Sequence, residues 1–104
     1  MKRITFTVGI GTAAGKELGM KPLEAIRTAR QQLAIVFSGF TETEHFGGWY
    51  DDETMKVVYE PSLDFMVVVP EGSTAATAAN VNSMAVWLRD LFQQSCVLVT
   101  DEIL

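Results

Sequence analysis

Residues 63–69, LDFMVVV, constrain the fold of this chain more than any other stretch. Read as a strand, they put Phe65, Val67 and Val69 on one face and Met66 and Val68 on the other, since successive strand side chains alternate. A strand apolar on both sides must be covered on both sides. The chain has 104 residues, enough for one domain and one modest core. Its helices suffice for one face of a sheet, so the second face is expected to pack on another subunit. A loop folded over the sheet is the simpler alternative.

The rest of the chain supplies the sheet and its cover. Ile4, Phe6, Val8 and Ile10 alternate with Arg3, Thr5, Thr7 and Gly9, the pattern of a half-buried first strand. The stretch GIGTAAGKELG (9–19) lacks the Gly-Lys-Ser/Thr ending of a phosphate-binding loop and the spacing of a dinucleotide fingerprint. It reads as a flexible loop, placed where it could act as a lid. Leu23, Ile26, Ala29, Leu33 and Phe37 recur at helical spacing from Pro22 onward, with Gly39 as the stop. Residues 40–50, FTETEHFGGWY, alternate as a second strand, and Asp51–Glu53 form a turn. Residues 54–69 make a third strand. Ser73 or Thr74 would cap a second helix over about 75–94, with Val81, Met84, Leu88 and Leu91 on its core face. SCVLV (95–99) is the fourth strand. The order βαββαβ predicts an α+β, ferredoxin-like domain over residues 1–104. In that fold two helices cover one face of a four-stranded antiparallel sheet.

Charge and composition exclude several functions. The net charge is −5 and the eight Lys and Arg residues are scattered, which disfavours nucleic acid. A cationic or zwitterionic small ligand, or a protein partner, fits better. No apolar run approaches the roughly 18 residues of a membrane span. Met1–Thr12 alternates rather than forming the apolar core of a signal peptide, so a cytoplasmic protein is expected. The lone Cys96 cannot form an intrachain disulfide and reads as a small buried hydrophobe. The lone His45 reads as an exposed strand residue. No metal and no cofactor are called for.

The third strand is interrupted by Glu60-Pro61, although Glu is depleted in strands and Pro cannot donate to a ladder. A proline-induced bulge would turn Glu60 off the pleat and aim its carboxylate at a ligand. Alternatively Pro61 blunts a sheet edge and Glu60 is simply solvated. Nearby, Trp49 and Tyr50 offer a stacking surface and a phenol, and Gly47 and Gly48 let a planar ligand approach the backbone. Tyr59 adjoins Glu60. No nucleophile–base pair is visible, so an enzyme with these residues would act by holding its substrate in a reactive shape.

GGWYDD (47–52), Glu60 ten positions beyond Tyr50, DFMVVVP (64–70) and LFQQSCVLVTD (91–101) resemble the phage S-adenosylmethionine-degrading enzymes. These were long called hydrolases and are now read as lyases. The resemblance covers about residues 22–101. It implies a trimer of ferredoxin-like subunits with S-adenosylmethionine bound between neighbours. It further implies attack of the substrate's own carboxylate on its γ-carbon, giving 5′-methylthioadenosine and homoserine lactone. Tyr50 and Glu60 would contact the substrate, with Trp49, Gly48, Phe46 and Tyr59 lining the site and Trp49 and Phe46 offered to adenine. The role the family suggests is anti-restriction, by depleting S-adenosylmethionine in the host cytoplasm. Two other readings remain open: a non-catalytic oligomeric phage or bacterial protein binding an adenosine-containing ligand, and a purely structural module.

Overall fold

The computed structural model describes residues 1–70 and 75–104. The expected cap at Ser73 or Thr74 lies outside the described residues. The elements are β1 (Lys2–Gly9), α1 (Pro22–Phe37), β2 (Thr41–Asp51), β3 (Lys56–Val69), α2 (Ala75–Leu91) and β4 (Leu98–Ile103), with a 3-10 turn at Lys16–Leu18. The strands form one antiparallel sheet in the order β2-β3-β1-β4. The α+β, ferredoxin-like arrangement expected from the sequence is therefore present.

The core lies between the sheet and the helices. Ile4, Phe6 and Val8 of β1 and Leu63, Phe65, Val67 and Val69 of β3 are buried against Ala25, Ala29 and Leu33 of α1 and Met84, Leu88 and Leu91 of α2. Small alanines on α1 let that helix approach the sheet closely. Leu23, expected on the core face, is exposed instead, because it precedes the stripe that Ala25, Ala29 and Leu33 define. Arg30 ties α1 to β2 through a two-pronged contact with Glu42, Nε to Oε1 at 2.8 Å and Nη2 to Oε2 at 2.7 Å. The hydrogen bond from Arg30 to Glu42 raises the guanidinium pKa further above its ordinary value.

Several boundaries differ from the sequence reading. α1 stops at Ser38, which adopts the left-handed conformation with φ +67°, one residue before the expected Gly39. α2 ends at Leu91, three residues short of expectation, and Gln93 takes the left-handed position (φ +54°). The N–H of Gln93 donates to the Asp90 carbonyl at 3.3 Å and that of Gln94 to the Arg89 carbonyl at 3.0 Å, the paired bonds of a Schellman motif. β4 starts at Leu98 rather than at residue 95, because residues 92–97 are used in crossing from the helix layer to the sheet edge. Cys96 falls in that crossing and is exposed, not buried.

The loop after β1 is pinned rather than loose. Ala14 and Gly15 are buried, and the Gly15 N–H donates to the Leu91 carbonyl at 2.7 Å. Gly15 has φ +77°, and a Cβ there would lie 2.8 Å from that of Met20, so this turn requires glycine. No helix among the described residues is long and apolar enough to cross a membrane.

Candidate functional site

β1 ends at Gly9, opposite Ser62, whereas β2 and β3 remain paired from Thr41–Met66 out to Asp51–Lys56. Residues 46–61 therefore form a two-stranded arm beyond the body of the sheet. Asp51 closes its tip, accepting from the Glu53 N–H and the Thr54 hydroxyl, each at 3.0 Å. The turn spans residues 52–55, slightly later than the expected Asp51–Glu53, so Asp51 still belongs to β2 and β3 starts at Lys56 rather than at residue 54. The arm is rich in exposed apolar side chains: Phe46 and Tyr59 are about three-quarters exposed, and Trp49, Tyr50 and Val57 about half. A two-stranded ribbon is marginal by itself, and this one leaves much of its aromatic surface open to solvent.

The bulge expected at Glu60-Pro61 is absent. Every β3 residue from Lys56 to Met66 has one β2 partner, with Phe46 opposite Pro61 and Gly47 opposite Glu60. The Pro61 carbonyl accepts from the Ile10 N–H at 2.8 Å, so the Pro61 backbone faces β1. A strand residue directs its N–H and C=O to the same neighbour. The donor that proline lacks would therefore point to where β1 is leaving the sheet. The β2–β3 ladder therefore loses no hydrogen bond at Pro61.

Glu60 is half-buried and stands in a clearing. Its β2 partner is Gly47, beside which a Cβ would find no atom within 4 Å. On the β1 side its Oε1 lies 2.9 Å from where a Gly9 Cβ would stand and 3.4 Å from that of Gly11. Gln94 Nε2 donates to Glu60 Oε1 at 3.3 Å. A groove of about 630 Å³ opens here, bounded by Ile10–Thr12, Pro22, Trp49, Val58, Tyr59, Glu60 and Pro61. A carboxylate thus borders an apolar and aromatic groove at the root of the arm.

The register divides the sequence-predicted residues between two faces. Trp49 pairs with Val58 and Gly47 with Glu60, which puts Trp49 and Glu60 on the face away from the helices. Phe46, Gly48, Tyr50 and Tyr59 alternate to the other face, and a Cβ on Gly48 would lie 3.5 Å from Tyr59 Cδ1. One chain brings Glu60, Trp49 and Tyr59 to one groove through the free edge of β3. It does not bring Tyr50 there.

A second polar group was not anticipated from sequence. On the helix-free face Asp64 Oδ1 accepts from the Thr7 hydroxyl at 2.6 Å and contacts His45 Nε2 at 3.0 Å. The Ser62 hydroxyl donates to the His45 carbonyl at 3.2 Å. Burial pushes the Asp64 carboxyl up, but the Thr7 and His45 hydrogen bonds and the His45 charge outweigh it and hold the group below its ordinary value. The available signal was a carboxylate inside the apolar run LDFMVVV. His45 is an exposed strand residue, as expected. Among the described residues no group of three or more His, Cys, Asp or Glu side chains could hold a metal ion.

The sequence matches no protein-family model and no curated protein. The structure does match solved structures. A phage SAM lyase in complex with S-methyl-5′-thioadenosine superposes with a TM-score of 0.66 at 18% sequence identity, covering 97% of this chain and 79% of that one. A phage SAM lyase in its apo state gives a TM-score of 0.66 at 16% identity, covering 97% and 78%. The chain has the fold of the phage SAM lyases. At these identities the likeness carries the backbone arrangement and no side-chain role.

Proposed function

We propose that this protein binds S-adenosylmethionine and cleaves it without water. One oxygen of the substrate carboxylate attacks the γ-carbon. The bond from that carbon to sulfur breaks, and its electron pair stays on sulfur. Homoserine lactone and neutral 5′-methylthioadenosine result, so no external base or metal is required.

The observation that carries this reading is Glu60, held at the edge of an apolar groove on ground cleared by Gly9 and Gly47. The fold shared with a lyase that has been captured with S-methyl-5′-thioadenosine supports it. So does the net charge of −5, which favours a substrate carrying sulfonium and ammonium groups. The sulfonium charge disappears as the carbon–sulfur bond breaks. A carboxylate on the sulfonium would stabilise the ground state more than the transition state and slow the reaction. Glu60 therefore serves turnover by holding the ammonium, whose charge persists throughout. Anchored there, the methionine chain folds back so that its carboxylate meets the γ-carbon, a near-attack geometry. Trp49 and Tyr59 supply aromatic surface for adenine in the groove, whereas Phe46 and Gly48, on the opposite face with Tyr50, join it only across a subunit contact.

Tyr50 joins the site only if the site is shared between chains, because it lies on the opposite face of the arm from Glu60. The proposal therefore includes a homo-oligomer, a trimer by resemblance, with the arms docked on neighbouring subunits. The deciding experiment incubates the protein with S-adenosylmethionine and separates the products chromatographically. Equal amounts of methylthioadenosine and homoserine lactone are expected. Binding without either product would leave a ligand-sequestering protein and overturn the lyase reading.

A further inference from the structure

The Glu60 carboxylate is not held by its own strand alone. The end of β1, the end of β3 and the segment after α2 converge on it. Gln94 Nε2 lies 3.3 Å from Glu60 Oε1 and 3.4 Å from the Phe92 carbonyl, so its amide bridges the two. The Gln94 backbone is fixed by its bond to the Arg89 carbonyl at 3.0 Å, which completes the turn that ends α2. Phe92, two residues before, is fully buried and anchors that turn in the core. Gln94 is therefore a side chain on a rigid mount.

The two side chains meet directly over Gly9. A Cβ at Gly9 would lie 2.7 Å from Gln94 Oε1 and 2.9 Å from Glu60 Oε1. Real Cβ atoms do not approach so closely, and both obstructing atoms are the far ends of flexible side chains. Gly9 does not take a positive φ, so nothing in its own backbone demands glycine. The absence of a side chain at position 9 serves the two side chains above it.

We propose that Gln94 is a positioning residue for Glu60, and that Gly9 is the gap that lets the Gln94–Glu60 pair lie across the end of β1. The proposal rests on the lyase reading for its functional consequence, but not for its geometry. Gln94 engages Oε1, which leaves Oε2 for the substrate ammonium. A carboxylate free to rotate would hold the methionine chain in many shapes, and only the folded one reacts.

The separation of fold from position gives a clean test. Gly9→Ala should fold normally, since a methyl displaces only two flexible side-chain ends, yet it should push Glu60 and Gln94 aside. Gln94→Ala removes the bridge and leaves the gap. Both variants should keep the thermal midpoint and oligomeric state of the parent. Both should lose about tenfold in kcat/KM on S-adenosylmethionine, the size of one charge-assisted contact. Affinity for S-adenosylmethionine should fall similarly, while affinity for 5′-methylthioadenosine, which lacks the ammonium, should stay unchanged. A general structural defect would weaken both ligands together. The ¹³C chemical shift of the Glu60 side-chain carboxyl, measured without ligand, should move in both variants. Full activity and unmoved carboxyl signals would overturn the proposal. If the parent protein neither binds nor cleaves S-adenosylmethionine, the lyase reading fails, and the carboxyl shifts still decide whether Gly9 and Gln94 position Glu60.

Discussion

Tyr50 sits opposite Val57 and Glu60 opposite Gly47, so the two lie three residues apart along the arm and on opposite faces of it. At about 3.4 Å per residue they are roughly 10 Å apart along the strand direction. One substrate cannot bridge them across the ribbon within a single chain. The proposed use of both residues thus requires two chains, and this can be checked by complementation. Tyr50→Phe and Glu60→Gln chains, each impaired alone, should regain activity when co-assembled. In a cyclic oligomer mixed equally, about one site in four receives its tyrosine from one variant and its glutamate from the other. No recovery in verified mixed oligomers would place both residues in separate roles or remove one from the site.

Glu60→Gln keeps the shape of the side chain and removes its charge. Because Glu60 is half-buried, contributes no core volume and accepts from Gln94 a hydrogen bond that a glutamine oxygen can also accept, stability should change by no more than about 0.5 kcal/mol. A charge-assisted hydrogen bond is worth roughly 1.5–3 kcal/mol, so kcat/KM should drop by about tenfold to more than a hundredfold. A folded Glu60→Gln protein with undiminished lyase activity would leave the carboxylate a solvated edge residue.

The arm should be an oligomer contact. Val57 lies on the same face as Phe46, Tyr50 and Tyr59 and is half exposed. A carboxylate there would be desolvated on docking, which is costly without a partner. Light scattering should give a mass above the 11.4 kDa of one chain for the parent, and a shift toward 11.4 kDa for Val57→Asp with its helical content intact. A parent protein of one-chain mass at micromolar concentration would defeat both the oligomer and the shared site.

Much of this architecture was legible because period-2 and helical spacing are written directly in the residues. β1 shows it best: Ile4, Phe6 and Val8 are buried where the alternation put them. Boundaries were less legible, since caps and crossings depend on neighbours distant in sequence. Nothing local says that residues 95–97 must span from helix layer to sheet edge, and so Cys96 looked like part of a strand. Pro61 is the sharper case. Its effect on β3 depends on where β1 ends, a fact of pairing between residues far apart, and the expected bulge does not form. The Glu60 clearing was half legible. Gly47 stood out beside Trp49 and Tyr50, but Gly9 and Gln94 are far from Glu60 in sequence and meet it only through the fold. The helix-free face also proved more polar than Met66 and Val68 alone suggested, because Thr7, His45, Ser62 and Asp64 occupy its middle.

The stop of α1 offers a stability test unrelated to the site. Ser38 is exposed and takes φ +67°, a conformation that strains residues with a Cβ. Ser38→Gly should relieve that strain, less the added freedom of glycine in the unfolded chain, for a net gain of about 0.5–1 kcal/mol. Urea denaturation should show a higher midpoint with unchanged slope. A loss of stability would mean that the Ser38 hydroxyl contributes more than its backbone costs.

Asp64 should contribute to stability in a pH-dependent way. Its carboxyl is held below the ordinary value of 3.8 because the hydrogen bonds from Thr7 and His45 and the His45 charge outweigh burial. A group whose folded pKa is depressed binds protons more weakly in the native state than in the unfolded chain. Its contribution is therefore complete above the unfolded value and is lost as pH falls through the folded one. Asp64→Asn retains the shape but titrates in neither state. The parent should be more stable than Asp64→Asn well above the ordinary carboxylate value of 3.8, and the gap should close as pH falls below that value and the parent's carboxylate takes up its proton. Thr7→Val should reduce the gap by removing the 2.6 Å hydrogen bond, while preserving side-chain volume. Denaturation midpoints across this range read the difference directly, and parallel pH curves for the parent and Asp64→Asn would mean that Asp64 has the same proton affinity folded and unfolded.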